Sequence, residues 1–377
     1  MRRNILGLVA ALALAVSWPG AASAAAGWTI GPMSLPTGAS HGLPTGVSCQ
    51  ATGNCIAVGT GPSHALAWHW NGTAWALTRT AVPVGAQSTG LTAVSCPSAL
   101  ECIAVGDQAT ASTPLTLAEQ WNGAKWHAQS TPNPAGTSLS LLDAVSCDSP
   151  NSCTAVGTAE GSSEVTLAEH WDGTAWTIQP TPAPSTPFVQ LTFDGVSCPS
   201  ATRCLAVGHT DSRPFAESWN GSTWMLVSVP VPPGGKLGRL RGISCPSVTD
   251  CIAVGSYVNS ANLAVPLAEH WNGSVWTPRS APLPTNSARG GFLTGISCAL
   301  TASCTAVGSF SRTSVTAQAL AEVWNGTAWS LQQTATPVSH KIFLSVSCTA
   351  ARTCAAVGDD TTDGGARRLA LPLAEQE

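Results

Sequence analysis

An all-β ring, a seven-bladed β-propeller with four antiparallel strands per blade, is predicted by three observations. A cysteine pair recurs seven times at near-constant spacing, each unit holds four strand-like runs, and one unit is split between the two chain ends. The pairs are Cys49/Cys55, Cys96/Cys102, Cys147/Cys153, Cys198/Cys204, Cys245/Cys251, Cys298/Cys304 and Cys348/Cys354, with first cysteines 47 to 53 residues apart. Periods of this size mark repeat architectures in which each repeat is one supersecondary unit.

Within a unit, runs such as LTAVSC and CIAVG are β-branched and joined by five residues, a hairpin length. A variable loop comes next, then a segment such as LAEHWNGSVW (267–276), whose Asn-Gly is a strong hairpin signal. We call the four strands a to d: a ends at the first cysteine, b starts at the second, and c and d flank the Asn-Gly. No segment beyond the N-terminus has sustained helical periodicity. Prolines cluster after strand d, as in TPNP and VPVPP, which suits an outer edge that must not pair further.

The chain ends predict closure. The seventh unit stops at LPLAEQE (371–377), without its turn and strand d. GWTI and the adjoining GPMSLP (27–36) match the segment after the turn in other units, with Trp28 in the place of Trp276. A ring closed by the N-terminal strand requires such a split, and a row of separate disulfide modules has no use for it.

Charge and composition narrow the function. The chain has 377 residues, 10% charged, 44% hydrophobic and a formal net charge of −4. Such a chain folds, and it lacks the basic surface that nucleic acid or anionic membrane demands. Residues 1–24 read as a signal peptide: Arg2 and Arg3, the apolar run 5–16, and the A-x-A site Ala22-Ser23-Ala24. Residues 25–377 then form a single domain outside the cell, with 14 basic and 20 acidic residues and a net charge of −6. Fourteen cysteines fit that oxidising compartment, and one disulfide per unit between strands a and b is expected.

The repeated polar residues read as structural. Glu119, Glu169, Glu217, Glu269, Glu322 and Glu375 are equivalent, with Trp68 in the first unit, whereas acid–base chemistry uses carboxylates in distinct environments. Each is expected to be a hydrogen-bond partner that supports the repeat. The next position holds His69, Gln120, His170, Ser218, His270, Val323 and Gln376, a variety that suits a partly solvated site better than a metal ligand. The Trp pairs, for example Trp271 and Trp276, fall on one face whether the Asn-Gly turn has two loop residues or four, as filler between blades. The N-G-S/T triplets at Asn71, Asn220, Asn272 and Asn325 read as turns.

A binding site is expected where the symmetry breaks, on the ring face that carries the b–c and d–a loops. Three segments there hold unusual charge: His209, Asp211 and Arg213; Lys236, Arg239 and Arg241; and Asp359, Asp360, Asp363, Arg367 and Arg368. Tyr257, the sole tyrosine, lies just after a strand b. The acidic 359–363 loop lacks the spacing of a D-x-D-x-D-G calcium loop, so no metal or other cofactor is expected.

The four-strand unit whose turn ends in Trp resembles kelch repeats and the Asp-box (BNR) repeats of secreted propellers. The NG-x-x-W segment matches the second half of the Asp-box, while its first half and the kelch Gly-Gly are absent. The chain is also similar to a group of secreted actinobacterial proteins built on SC…CxAVG…WNG repeats. The resemblance covers the whole mature chain and implies architecture without an activity. A sialidase needs an arginine triad and a tyrosine nucleophile, and galactose oxidase chemistry needs a tyrosine crosslinked to a free cysteine; neither set is present. The expected function is a non-enzymatic binding or scaffold propeller recognising an extracellular glycan or protein, as a monomer. The alternative is an extracellular hydrolase or lyase with its site at the central mouth.

Overall fold

In the computed structural model, residues 28, 31, 33–39, 41–110, 113–182, 190–211, 213–313, 317–334 and 340–361 are described. The signal segment lies outside them, and no described helix is long and apolar enough to cross a membrane.

The first blade is β1 (Leu43–Ala51), β2 (Asn54–Thr60), β3 (Ala65–Trp70) and β4 (Trp75–Thr78). The second is β5 (Ser88–Ser98), β6 (Glu101–Thr110), β7 (Thr113–Trp121) and β8 (Trp126–Gln129). The third is β9 (Leu139–Ser149), β10 (Ser152–Glu160), β11 (Glu164–Trp171) and β12 (Trp176–Ile178). The fourth is β13 (Leu191–Ser200), β14 (Arg203–Thr210), β15 (Pro214–Trp219) and β16 (Trp224–Val227). The fifth is β17 (Lys236–Ser247), β18 (Asp250–Val258), β19 (Ala264–Trp271) and β20 (Trp276–Arg279). The sixth is β21 (Gly291–Leu300), β22 (Ser303–Ser311), β23 (Ala317–Trp324) and β24 (Trp329–Gln332), and β25 (His340–Ala350) pairs with β26 (Thr353–Thr361). Every sheet is an antiparallel meander in chain order.

The protein is therefore an all-β propeller with four antiparallel strands per blade. Of the expected seven four-stranded blades, six are formed among the described residues, with a two-stranded sheet from the seventh unit. That unit's strand c sequence, at 369–375, lies outside the described residues.

The inner strands are tied to one another side to side. The serine before each first cysteine accepts a hydrogen bond from the cysteine N–H of the following unit. Ser48 takes Cys96, Ser95 takes Cys147, Ser146 takes Cys198, Ser197 takes Cys245, Ser244 takes Cys298 and Ser297 takes Cys348, at 2.9–3.1 Å. Ser347 accepts from Cys49 N–H at 3.0 Å and joins β25 to β1.

Each unit is also closed by its own disulfide. The seven bonds are Cys49–Cys55, Cys96–Cys102, Cys147–Cys153, Cys198–Cys204, Cys245–Cys251, Cys298–Cys304 and Cys348–Cys354, the pairing expected. No cysteine is free among the described residues. A loop this short contributes about 2 kcal/mol per bond on a chain-entropy account. The second cysteine of each pair, at the start of strand b, is buried in the core between blades.

The Asn-Gly segment adopts the four-residue form, with Trp271 paired to Trp276 and Trp70 to Trp75. A two-residue type I′ turn would put both Asn71 and Gly72 at positive φ; Gly72 has φ +93°, and Asn71 keeps a negative φ. Instead Asn71 Oδ1 accepts from the N–H groups of Thr73 and Ala74, both at 3.0 Å, so its side chain makes the turn. The second tryptophan of each pair is buried between blades, its ring centroid 5.4–5.9 Å from its partner's.

The five described glutamates of the repeat are fully buried, yet four of them lack the hydrogen bonds expected; Glu375 lies outside the described residues. Glu119 Oε2 accepts from Ala81 N–H at 2.8 Å, six residues after Trp75. At the equivalent position the following units have Pro132, Pro182, Pro230 and Pro282, which carry no N–H. Accordingly both carboxyl oxygens of Glu169, Glu217, Glu269 and Glu322 are without hydrogen-bond partners. Burial raises these four to about 8, while Glu119, helped by its one donor, rises only to about 7. In the first unit Trp68 replaces the glutamate and donates to Ser34 O at 2.7 Å, six residues after Trp28.

This predicts a stability that falls as pH rises. Between the ordinary value of 4.5 and about 8, the unfolded chain is ionised at these glutamates while the folded chain keeps them neutral. Thermal unfolding of the oxidised protein should give a higher Tm at pH 5 than at pH 9. Replacing Glu169, Glu217, Glu269 and Glu322 together by Gln should flatten the difference, each group accounting for at least about 1 kcal/mol. An equal or higher Tm at pH 9 would refute the assignment.

Candidate functional site at the channel mouth

Each inner strand carries one extra residue four positions before its first cysteine. These β-bulge residues are Thr45, Thr92, Asp143, Asp194, Arg241, Thr294 and Leu344. The glycine of each AVG segment makes the bulge possible: a Cβ on Gly157 would overlap the Leu141 carbonyl. A bulge re-aims a side chain, and these seven line the central channel, around a cavity of about 240 Å³. They sit in the half of each inner strand that is entered from the d–a loop, toward the variable face.

Three of the seven are structural. Thr45, Thr92 and Thr294 donate to the inner-strand carbonyls of Leu91, Leu142 and Phe343 in the next unit, at 2.6–2.8 Å. Asp143, Asp194 and Arg241, in three successive blades, cannot make that bond as threonine does. Symmetry is broken here, in the innermost ring of side chains.

Asp194 is held by His209 Nδ1 at 2.7 Å, within the same blade and with the histidine buried. Asp143, half-buried on β9, forms neither a hydrogen bond nor an ion pair with the described residues. Burial first, then the charges of Asp194, Asp107 and Glu164, raise it from 3.8 to about 7. Asp107, next to Gly106 on β6, is itself raised by burial. Glu164 Oε1 accepts from Leu191 N–H at 3.1 Å. Arg241 forms no ion pair with either aspartate; its guanidinium lies 5.8 Å from the Phe292 ring centroid, over the next blade. The acidic side of the mouth is left without a matching cation among the described residues.

Of the residues singled out in the sequence, His209 and Arg241 belong to this mouth. Asp211 accepts from Gln190 N–H at 2.7 Å and orders the loop edge, and Arg213 is exposed beside it. Lys236 is exposed and Arg239 half-buried on β17. Tyr257 lines a separate groove of about 370 Å³ with Pro232, Pro266 and Arg279. Asp359 occupies in β26 the position that His209 holds in β14, and Asp360 pairs with Lys341 through the backbone. Asp363, Arg367 and Arg368 lie outside the described residues. The cysteines stand apart from any ligand surface at the mouth. Cys55, Cys102, Cys153, Cys304 and Cys354 are buried among core side chains, so their part is the disulfide alone. Asp107, Asp143, Glu164 and Asp194 were missed, although the residue four before each first cysteine reads T, T, D, D, R, T, L.

No group of three or more His, Cys, Asp or Glu among the described residues is arranged to hold a metal ion. The histidines after the repeated Glu serve their own units: His69 Nε2 lies 2.9 Å from Asn54 Oδ1, and His270 Nε2 2.8 Å from Asp250 Oδ1.

No family model and no curated protein matches the chain. Solved structures do. YCF48 from Cyanidioschyzon merolae aligns at 11% identity and TM-score 0.53, over 88% of this chain and 96% of its own. A GH74 xyloglucanase from Xanthomonas campestris aligns at 13% and 0.53, over 88% of this chain and 52% of its own. A PL25 ulvan lyase aligns at 10% and 0.51, over 88% and 92%. At such identities the likeness is one of fold: the chain shares the propeller architecture.

Removing one neighbouring negative charge should ease ionisation of Asp143. In an Asp194→Asn variant, a carboxyl NMR titration should show its pKa falling from about 7 by about half a unit or more. An unchanged value would mean that the two carboxyls do not share one mouth.

Proposed function

We propose that this chain is a secreted, non-enzymatic binding propeller that takes a glycan at the channel mouth on its variable-loop face. The observation that carries the reading is the substitution of Asp143, Asp194 and Arg241 for ring-tying threonine at the bulge positions of three adjacent blades. These side chains give up a structural bond and leave charge at the opening of a cavity. A narrow polar opening suits a saccharide better than a broad protein surface. Xyloglucanase and ulvan lyase, similar in fold, act on polysaccharides by name. Seven disulfides fit an extracellular setting.

Catalysis is the second reading, favoured by one feature: a concave mouth with carboxylates from two blades, one of them bonded to His209. Such groups can move protons. Binding is preferred because Asp194 is committed to His209 within its own blade and no described side chain orients Asp143 as an acid or a base.

We also infer that β25 and β26 belong to a seventh blade, completed by the N-terminal strand. Trp28 donates to Gln332 at 3.2 Å, as Trp176 does to Gln129 and Trp224 to Gln179 in successive blades. Trp28 also packs on Phe343, with centroids 5.6 Å apart. Trp28→Ala should therefore cost about 3–5 kcal/mol in denaturant unfolding. A loss below about 1 kcal/mol would argue for a ring that closes without it.

The binding reading is tested by a glycan array with the mature protein, followed by calorimetry of each hit against wild type and Asp143→Asn. Binding weakened about tenfold or more by the substitution is expected. Hits indifferent to Asp143, or steady turnover of a bound polysaccharide that Asp194→Asn abolishes, would replace this reading with another.

A further inference from the structure

Resting on the channel mouth as the binding site, we propose that its ligand group is a primary ammonium, bound by Asp143 with Asp194 beside it. Asp143 is the carrier because it stands half-buried on the channel cavity and has no hydrogen bond or ion pair with the described residues. The charged groups around it supply no proton donor. Asp107 and Glu164 are carboxylates, Asp194 already takes His209, and Arg241 is turned over Phe292.

An ammonium suits this mouth better than a metal ion. The described residues offer no group of three or more His, Cys, Asp or Glu placed to hold a metal. A primary ammonium carries three N–H donors, and one unpartnered carboxylate is enough to take the first of them. Such charge-assisted bonds are the strong ones. The raised proton affinity of Asp143 agrees: an added cation would favour its ionised form, so binding near pH 7 should release a proton.

The same repeat supplies a variant that should fold. Threonine stands at this bulge in three other units and bridges to the next inner strand, so Asp143→Thr removes the carboxylate and offers a ring bond in return. The experiment is calorimetry with the whole mature protein, wild type and Asp143→Thr, at pH 7 in two buffers of different ionisation enthalpy. The probes are chitotriose with free amines, its fully N-acetylated form, and Nα-acetyl-lysinamide. Both amine probes, or chitotriose alone, should bind wild type about tenfold or more tighter than the N-acetylated trimer, with proton release. Asp143→Thr should abolish that preference. Lysinamide binding as tightly as chitotriose would place the specificity in the ammonium alone, and chitotriose alone would place it in an amino sugar. Equal binding of the acetylated and free trimers, lost in Asp143→Thr, would overturn the ammonium inference and leave glycan binding at the mouth intact. Binding of none of the probes at about 10 mM would overturn the ammonium inference, and the glycan array then decides the site.

Discussion

The structure depends on a belt of hydrogen bonds around its axis. Each inner strand presents a serine hydroxyl to the cysteine N–H of the next, and Ser347 to Cys49 brings the last described sheet against the first. Such bonds are individually modest, on the order of 1 kcal/mol. Their effect is to fix the lateral register of every sheet at one level. The disulfide sits at that level and fixes each a–b hairpin internally. With both fixed, the bulge four residues upstream falls at the same height in all seven inner strands, and its side chain has nowhere to go but the channel.

Packing further out depends on that registration. The outer tryptophan of one blade lies against the preceding one, and in three places it is tied there by a glutamine. The repeated glutamate occupies the same gap, where prolines that blunt the blade edge also remove the donor it would need. Edge protection and carboxyl satisfaction compete for one residue, and in four units the edge has prevailed at the cost of a neutral, buried acid. The propeller tolerates this only while those acids remain protonated.

Much of the fold was legible in the sequence because the repeat imposes it. Cysteine spacing, AVG runs and the Asn-Gly segments determined the strand order and the disulfide pairing. The loop form of the turn was left open, since whether Asn uses its backbone or its side chain depends on contacts that spacing does not encode. The site was less legible. Charge in the loops drew attention to Lys236, Arg239 and Arg213, which lie on the rim, whereas Asp143 and Asp194 stand inside strands that read as apolar core. Only alignment of the units on their cysteines exposes them, and only the bulge explains why a strand residue faces the channel. His209 and Arg241 were found for their charge, and the structure supplies what charge alone did not: the Asp194 partner of one and the Phe292 perch of the other.

A regular ring and an irregular mouth thus divide the labour, with identity kept where blades meet and variation admitted where they face the axis. The binding reading requires recognition at the bulge residues of the third and fourth blades. Hydrogen–deuterium exchange of the mature protein with and without a bound glycan tests this most directly. Protection concentrated in the segments 139–149 and 191–200 is predicted. Protection confined to the opposite face, over the hairpins at 218–226 and 271–276, would rule out binding at the channel mouth.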